Sequence, residues 1–167
     1  MEASVLELKS ATDFVLQLFA DQEVNLDYSP ESIHHLDNLF DREFTNGSII
    51  NGSSFFAQYQ GLIMTGITGY IAQVILQHTE NARLCFEDDD ENQIINFAIE
   101  SASGKKLMPG HRVLKRAYNG NDDLLYPYVT DAIQYFNEPI PSYNFKAAIV
   151  HLIDYKDVKG KNWWKLW

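Results

Sequence analysis

The chain is 167 residues long and has one cysteine, Cys85. A single thiol excludes an intramolecular disulfide and any zinc site built on cysteines, and it fits a reducing compartment. No H-E-x-x-H pair, G-x-S-x-G elbow, P-loop or G-x-G-x-x-G turn occurs, so the common local signals for zinc hydrolysis, serine hydrolysis and nucleotide binding are missing. The first nine residues are acidic and hold no long apolar run, unlike a secretory leader. Basic residues are scarce at the start: residues 1–80 carry two, against eleven acidic ones. Residues 53–78 carry no Asp, Glu, Lys or Arg at all.

The net charge is −10, distributed as −9 over residues 1–80, −5 over 81–100 and +4 over 101–167. Nucleic acid binding needs Lys and Arg to neutralise phosphates, so an acidic body argues against it. The same charge favours basic protein partners and speeds their association. It also serves solubility with no partner involved. The length fits one domain with a core large enough to need no staples.

What the chain does have is a long helical pattern over residues 53–78. Phe55, Tyr59, Leu62, Ile63, Ile67, Tyr70, Ile71, Val74 and Ile75 recur at steps of three and four, which predicts one broad apolar helix face. Ser53 or Ser54 is positioned to cap it. Ala57, Gly61, Thr65, Gly69 and Ala72 form a second, small-residue row, and Gly66 adds a third internal glycine. Each glycine inside a helix costs roughly 1 kcal/mol relative to alanine, so close packing against another element is expected. The stretch is long enough to span a bilayer, but Gln58, Gln60 and Gln73 interrupt it and no basic cluster flanks it. It reads as a buried helix covered on two sides.

Shorter elements surround it. Residues 10–21 predict an amphipathic helix with Phe14, Val15, Leu18 and Phe19 inward. Ser29-Pro30-Glu31-Ser32 is a helix start, with Ser29 as cap and Pro30 in the first turn. The following helix buries Ile33, Leu36, Leu39, Phe40 and Phe44. Residues 45–52 read as a loop with Asn-Gly turn signals. Residues 83–86 and 94–100 predict two strands around a solvated acidic loop, and residues 111–118 a short basic helix ended by Asn119-Gly120. Asn121 or Asp122 is expected to cap a last helix reaching Asn137, with Leu125, Val129, Ile133 and Phe136 inward. The fold expected is α+β: a single domain over 1–167, with a central buried helix, several shorter helices and a small antiparallel sheet. Residues 138–167 would form a C-terminal extension.

The ligand-like clusters are thin. Glu31 and His34 have E-x-x-H spacing, but a carboxylate di-metal site needs a second such pair and two more inward Glu residues. The run Glu87, Asp88, Asp89, Asp90, Glu91 lacks the register of a calcium loop. His78 fits a helix end, and Cys85 fits a small buried hydrophobe. No cofactor and no metal are expected. Trp163, Trp164 and Trp167 crowd the end of the chain, where they either cover a core edge or contact a partner.

Three stretches resemble a family of small bacterial domains of uncharacterised function: Leu26-Asp27-Tyr28-Ser29-Pro30-Glu31-Ser32 with Leu36-Asp37, Tyr70-Ile71-Ala72-Gln73-Val74, and Asn119-Gly120-Asn121-Asp122-Asp123-Leu124 after Val113-Leu114-Lys115-Arg116. The resemblance covers residues 26–136. It implies a bacterial, cytoplasmic domain and carries no activity. Where the family shows Gly-Glu, this chain has Ala72-Gln73.

Two functions follow from these observations. The first is a non-enzymatic protein-binding domain, concretely a bacterial immunity protein or antitoxin that occludes a basic toxin surface. Its contacts would be Asp37, Asp41, Glu87, Asp88, Asp89, Asp90, Glu91, Trp163, Trp164 and Trp167, with no nucleic acid or membrane involved. The second is a small enzyme or ligand binder whose pocket lies beside the central helix, with Tyr70, Gln73 and His78 converging on it.

Overall fold

A computed structural model describes residues 2–86 and 97–138. Helix α1 (Glu2–Ala20) is followed by an extended segment, a 3-10 turn (Pro30–Ser32) and α2 (Ile33–Glu43). A two-stranded hairpin, β1 (Phe44–Thr45) and β2 (Ser48–Ile49), leads to α3 (Phe55–Gln58) and α4 (Gln60–Gln77). Strands β3 (Arg83–Cys85), β4 (Ala98–Glu100) and β5 (Lys106–Leu107) make an antiparallel sheet in chain order. Helices α5 (Pro109–Asn119) and α6 (Leu125–Asn137) complete the described chain, with a 3-10 turn (Gly120–Asp123) between them. This is the α+β architecture expected from the sequence.

Helix α4 is the axis. Ile63, Ile67, Tyr70, Ile71, Val74 and Ile75 have no exposed surface. Helix α1 packs along one side, and α5 and α6 lie on another. Among the described residues no helix is long and apolar enough to cross a membrane. The close approach of α1 falls at two glycines. A Cβ added at Gly66 would stand 2.2 Å from the Ala11 carbonyl oxygen, and one at Gly69 would stand 2.2 Å from Thr12 Oγ1. Those two positions therefore require glycine for packing. Gly61 differs, because a Cβ there would meet nothing within 4 Å.

Local signals set several boundaries. Ser29 Oγ accepts the Ser32 N–H, and Ser54 Oγ accepts the Ala57 N–H, so both serines act as caps. Asn46 and Gly47 have positive φ values of 48° and 77°, the geometry of a two-residue hairpin turn. The predicted loop over 45–52 thus contains a short hairpin. Phe44 leaves the helix to start β1, where it stacks on Phe40 and meets Phe56 edge-on. The first helix starts at Glu2, well before the residue 10 that the periodicity indicated.

The central pattern is also divided. Tyr59 (φ −117°, ψ 22°) breaks it into α3 and α4. The break turns Phe56 into the core and leaves Phe55, Tyr59 and Leu62 on the surface, although all three were expected on the buried face.

The buried Tyr70 hydroxyl is fully used. It accepts the Tyr28 N–H at 2.9 Å and meets Ser32 Oγ at 2.6 Å. Ser32 Oγ already donates to the Ser29 carbonyl, so Tyr70 is the donor in that pair. Tyr28 has φ +63°, and its ring stacks on Tyr70. These contacts hold a conformation that non-glycine residues seldom adopt.

Candidate functional site

The sequence-predicted residues fall into three groups. Asp37 is a correction. It is buried rather than presented to a partner, and its carboxylate is consumed inside the fold. Oδ1 accepts Arg116 Nε at 2.9 Å and the Leu125 N–H at 2.9 Å, and Oδ2 accepts the Tyr126 N–H at 3.0 Å. Asp37 therefore caps α6, in place of the expected Asn121 or Asp122. Arg116, 2% exposed, also donates to the Asp37 carbonyl and to Asp41. Asp41 keeps half of its side chain exposed and remains reachable from outside. The acidic run Glu87, Asp88, Asp89, Asp90, Glu91 and the tail Trp163, Trp164, Trp167 lie outside the described residues.

The proposed ligand triad does not converge. Tyr70 is buried and engaged with Ser32 and Tyr28, whereas His78 lies at the rim of a recess of about 720 Å3 that neither Tyr70 nor Gln73 lines. His78 Nε2 hydrogen-bonds the Tyr28 carbonyl at 3.1 Å, which ties the end of α4 to the segment before the 3-10 turn. Glu31 and His34 do not form a ligand pair with other acids, since His34 stacks on Tyr126. Among the described residues no group of three or more His, Cys, Asp or Glu side chains is placed to hold a metal ion.

Cys85 is half-buried and donates to Glu100 Oε2 at 3.0 Å. That hydrogen bond, followed by desolvation, pushes the thiol above its ordinary range. Glu100 is held low by Cys85 and then by Arg83. A carboxylate neighbour is the opposite of what activates a thiol nucleophile.

The feature that sequence reasoning missed is an exposed aromatic face. Phe55, Tyr59 and Leu62 are 48%, 44% and 40% exposed, and Leu6 on α1 is 64% exposed. Phe55 and Tyr59 pack together with ring centroids 4.6 Å apart, and Phe14 sits 6.1 Å from each. Beside this cluster, Leu6, Ser10 and Phe14 of α1 and Gly61, Leu62 and Thr65 of α4 line a groove of about 690 Å3. Among the described residues, Glu7 is the one charged residue in the lining. A second recess of about 440 Å3 is lined by Leu18, Leu39, Phe55, Phe56 and Ile63 together with Arg42 and Glu43. Contiguous exposed apolar surface of this kind marks interaction sites. The available signal was the extra aromatic content at the start of the 53–78 stretch, where Phe55, Phe56 and Tyr59 cannot all face one core.

No protein-family model matches this chain, and neither a curated protein nor a solved structure matches it.

Proposed function

We propose that this chain is a non-enzymatic protein-binding domain that uses the Phe14–Phe55–Tyr59–Leu62 face to hold a basic partner. The observation that carries this reading is the exposure of a stacked aromatic cluster on a body whose first 80 residues bear a net charge of −9. Aromatic side chains supply large rigid contact area at interfaces, and acidic surroundings steer a basic surface toward them. Its most concrete form is a bacterial immunity protein or antitoxin. Occluding a toxin surface requires no chemistry from this chain, and the resemblance to small bacterial domains suits that setting. The acidic run 87–91 would add long-range attraction.

The test is capture from the native host followed by mass spectrometry, comparing the wild type with Phe55→Ser/Tyr59→Ser. A basic protein held by the wild type should be lost about tenfold or more by the double variant, as expected for hot-spot aromatics. Equal retention would remove this face from the interface.

A further inference from the structure

Granting the protein-binding role proposed above, we infer that the groove between α1 and the first turns of α4 receives a basic amphipathic helix of the partner. The groove walls are side chains of two helices, and apart from the first-turn N–H groups of α4 at Gly61 and Leu62 the lining backbone is hydrogen-bonded within those helices. A strand laid there would find no ladder of free backbone groups, whereas a helix arrives with its own hydrogen bonds complete. Gly61 sits in the groove lining where an added Cβ would meet nothing within 4 Å. Its missing side chain leaves depth for one bulky apolar anchor between Leu6, Phe14 and Leu62.

Charge selects among occupants. Glu7 lines the groove, and no Lys, Arg or His does so among the described residues. Lys9, the nearest base on α1, pairs with Asp13 at 2.5 Å. A second copy of this chain would bring the same −9 region against itself, and like charges across an interface disfavour association. A helix with Lys or Arg flanking an apolar stripe meets both the surface and its charge.

The probe is a synthetic Leu/Lys peptide of about 18 residues, five helical turns, in amphipathic helical order. It is compared with an isomer of strictly alternating Leu and Lys and with a Leu/Glu helix. Binding to the full chain is read by fluorescence anisotropy, and its location by amide chemical-shift changes. The Leu/Lys helix should bind with shifts centred on Ser10, Phe14, Gly61 and Thr65, and should weaken with salt. Gly61→Phe should weaken it about tenfold, and Gly61→Ala should retain the fold, since its Cβ meets nothing within 4 Å. Equal binding by the alternating isomer, shifts centred elsewhere, or indifference to Gly61→Phe would overturn the inference. So would a homodimer, seen by sedimentation, that Gly61→Phe dissolves. If Phe55→Ser/Tyr59→Ser loses the native partner but no helical peptide binds, the protein-binding role stands and the helix mode fails. If that double variant keeps its partner, the role proposed for this face fails.

Discussion

Asp37 and Arg116, 79 positions apart, meet in the core with Oδ1 and Nε separated by 2.9 Å, and the same carboxylate caps the first turn of α6. Both side chains are almost completely enclosed, at 7% and 2% exposure. The pair joins α2, α5 and α6 at one point.

Removing either partner leaves the other buried with fewer contacts: Arg116 keeps the half-exposed Asp41, and Asp37 keeps only the two N–H groups of α6. Asp37→Ala and Arg116→Ala should each destabilise the fold by about 3–5 kcal/mol. Asp37→Asn keeps the shape and one acceptor, so it should fall between wild type and Asp37→Ala. Urea unfolding of the single and double variants checks this. The double variant should cost much less than the sum of the singles, because the two residues act as a unit.

The three glycines of α4 should respond differently to alanine. At Gly66 the added methyl meets the Ala11 backbone carbonyl, which cannot step aside without moving α1. Overpacking of that kind costs about 1–3 kcal/mol. Gly69→Ala meets Thr12 Oγ1, which is buried and donates to the Leu8 carbonyl, so the added methyl must break that hydrogen bond or displace α1, again at about 1–3 kcal/mol. Gly61→Ala meets nothing and should be neutral or stabilising by up to about 1 kcal/mol through helix propensity. Thermal melts of the three variants should separate Gly61→Ala from the other two.

Cys85 should be a slow thiol at neutral pH. Glu100 accepts its hydrogen and raises its proton affinity, which depletes the thiolate, the form that reacts. Alkylation rates followed against pH should place the titration above that of a free cysteine. Glu100→Gln should move it down and speed alkylation at pH 7. An unchanged rate would mean that the Glu100 contact does not govern the thiol.

Asp123 is held below the ordinary carboxylate range by Asn119, with further help from Arg112. A depressed folded-state pKa stabilises the fold above the unfolded value of 3.8 and loses that contribution as pH falls through the folded value. Asp123→Asn should therefore cost about 1 kcal/mol at pH 7. The difference from wild type should shrink below about pH 4. Urea titrations at pH 7 and pH 3 would show whether the two curves converge.

Much of the scaffold was legible because its signals are local. Ser29, Pro30 and Ser54 announce helix starts through groups three residues away, and Asn46-Gly47 supplies the positive φ values of a hairpin by residue type. The periodicity from Ile63 to Ile75 marks the axis without reference to its neighbours. The features that were not legible are set by partners far along the chain. Arg116 looks like one more base on an exposed helix, yet it is buried because Asp37 lies across from it. Asp37 looks like a surface acid, yet it caps a helix that begins 88 positions later. Gly61, Gly66 and Gly69 share a composition signal, and only the position of α1 separates the two that are covered from the one that is open. The turn at Tyr59 lies inside an apolar pattern with no Pro to announce it, so the outward rotation of the aromatic face was hidden.

The capping of α6 by Asp37 also bears on how the chain assembles. Leu124, at the cap position of that helix, offers no side-chain hydrogen bond, so the first turn is completed only when residue 37 arrives. Closing a loop of that length costs entropy before any contact offsets it. The contact among residues 37, 116 and 125 ties α2, α5 and α6 together, so loss of this one corner should loosen all three helices at once.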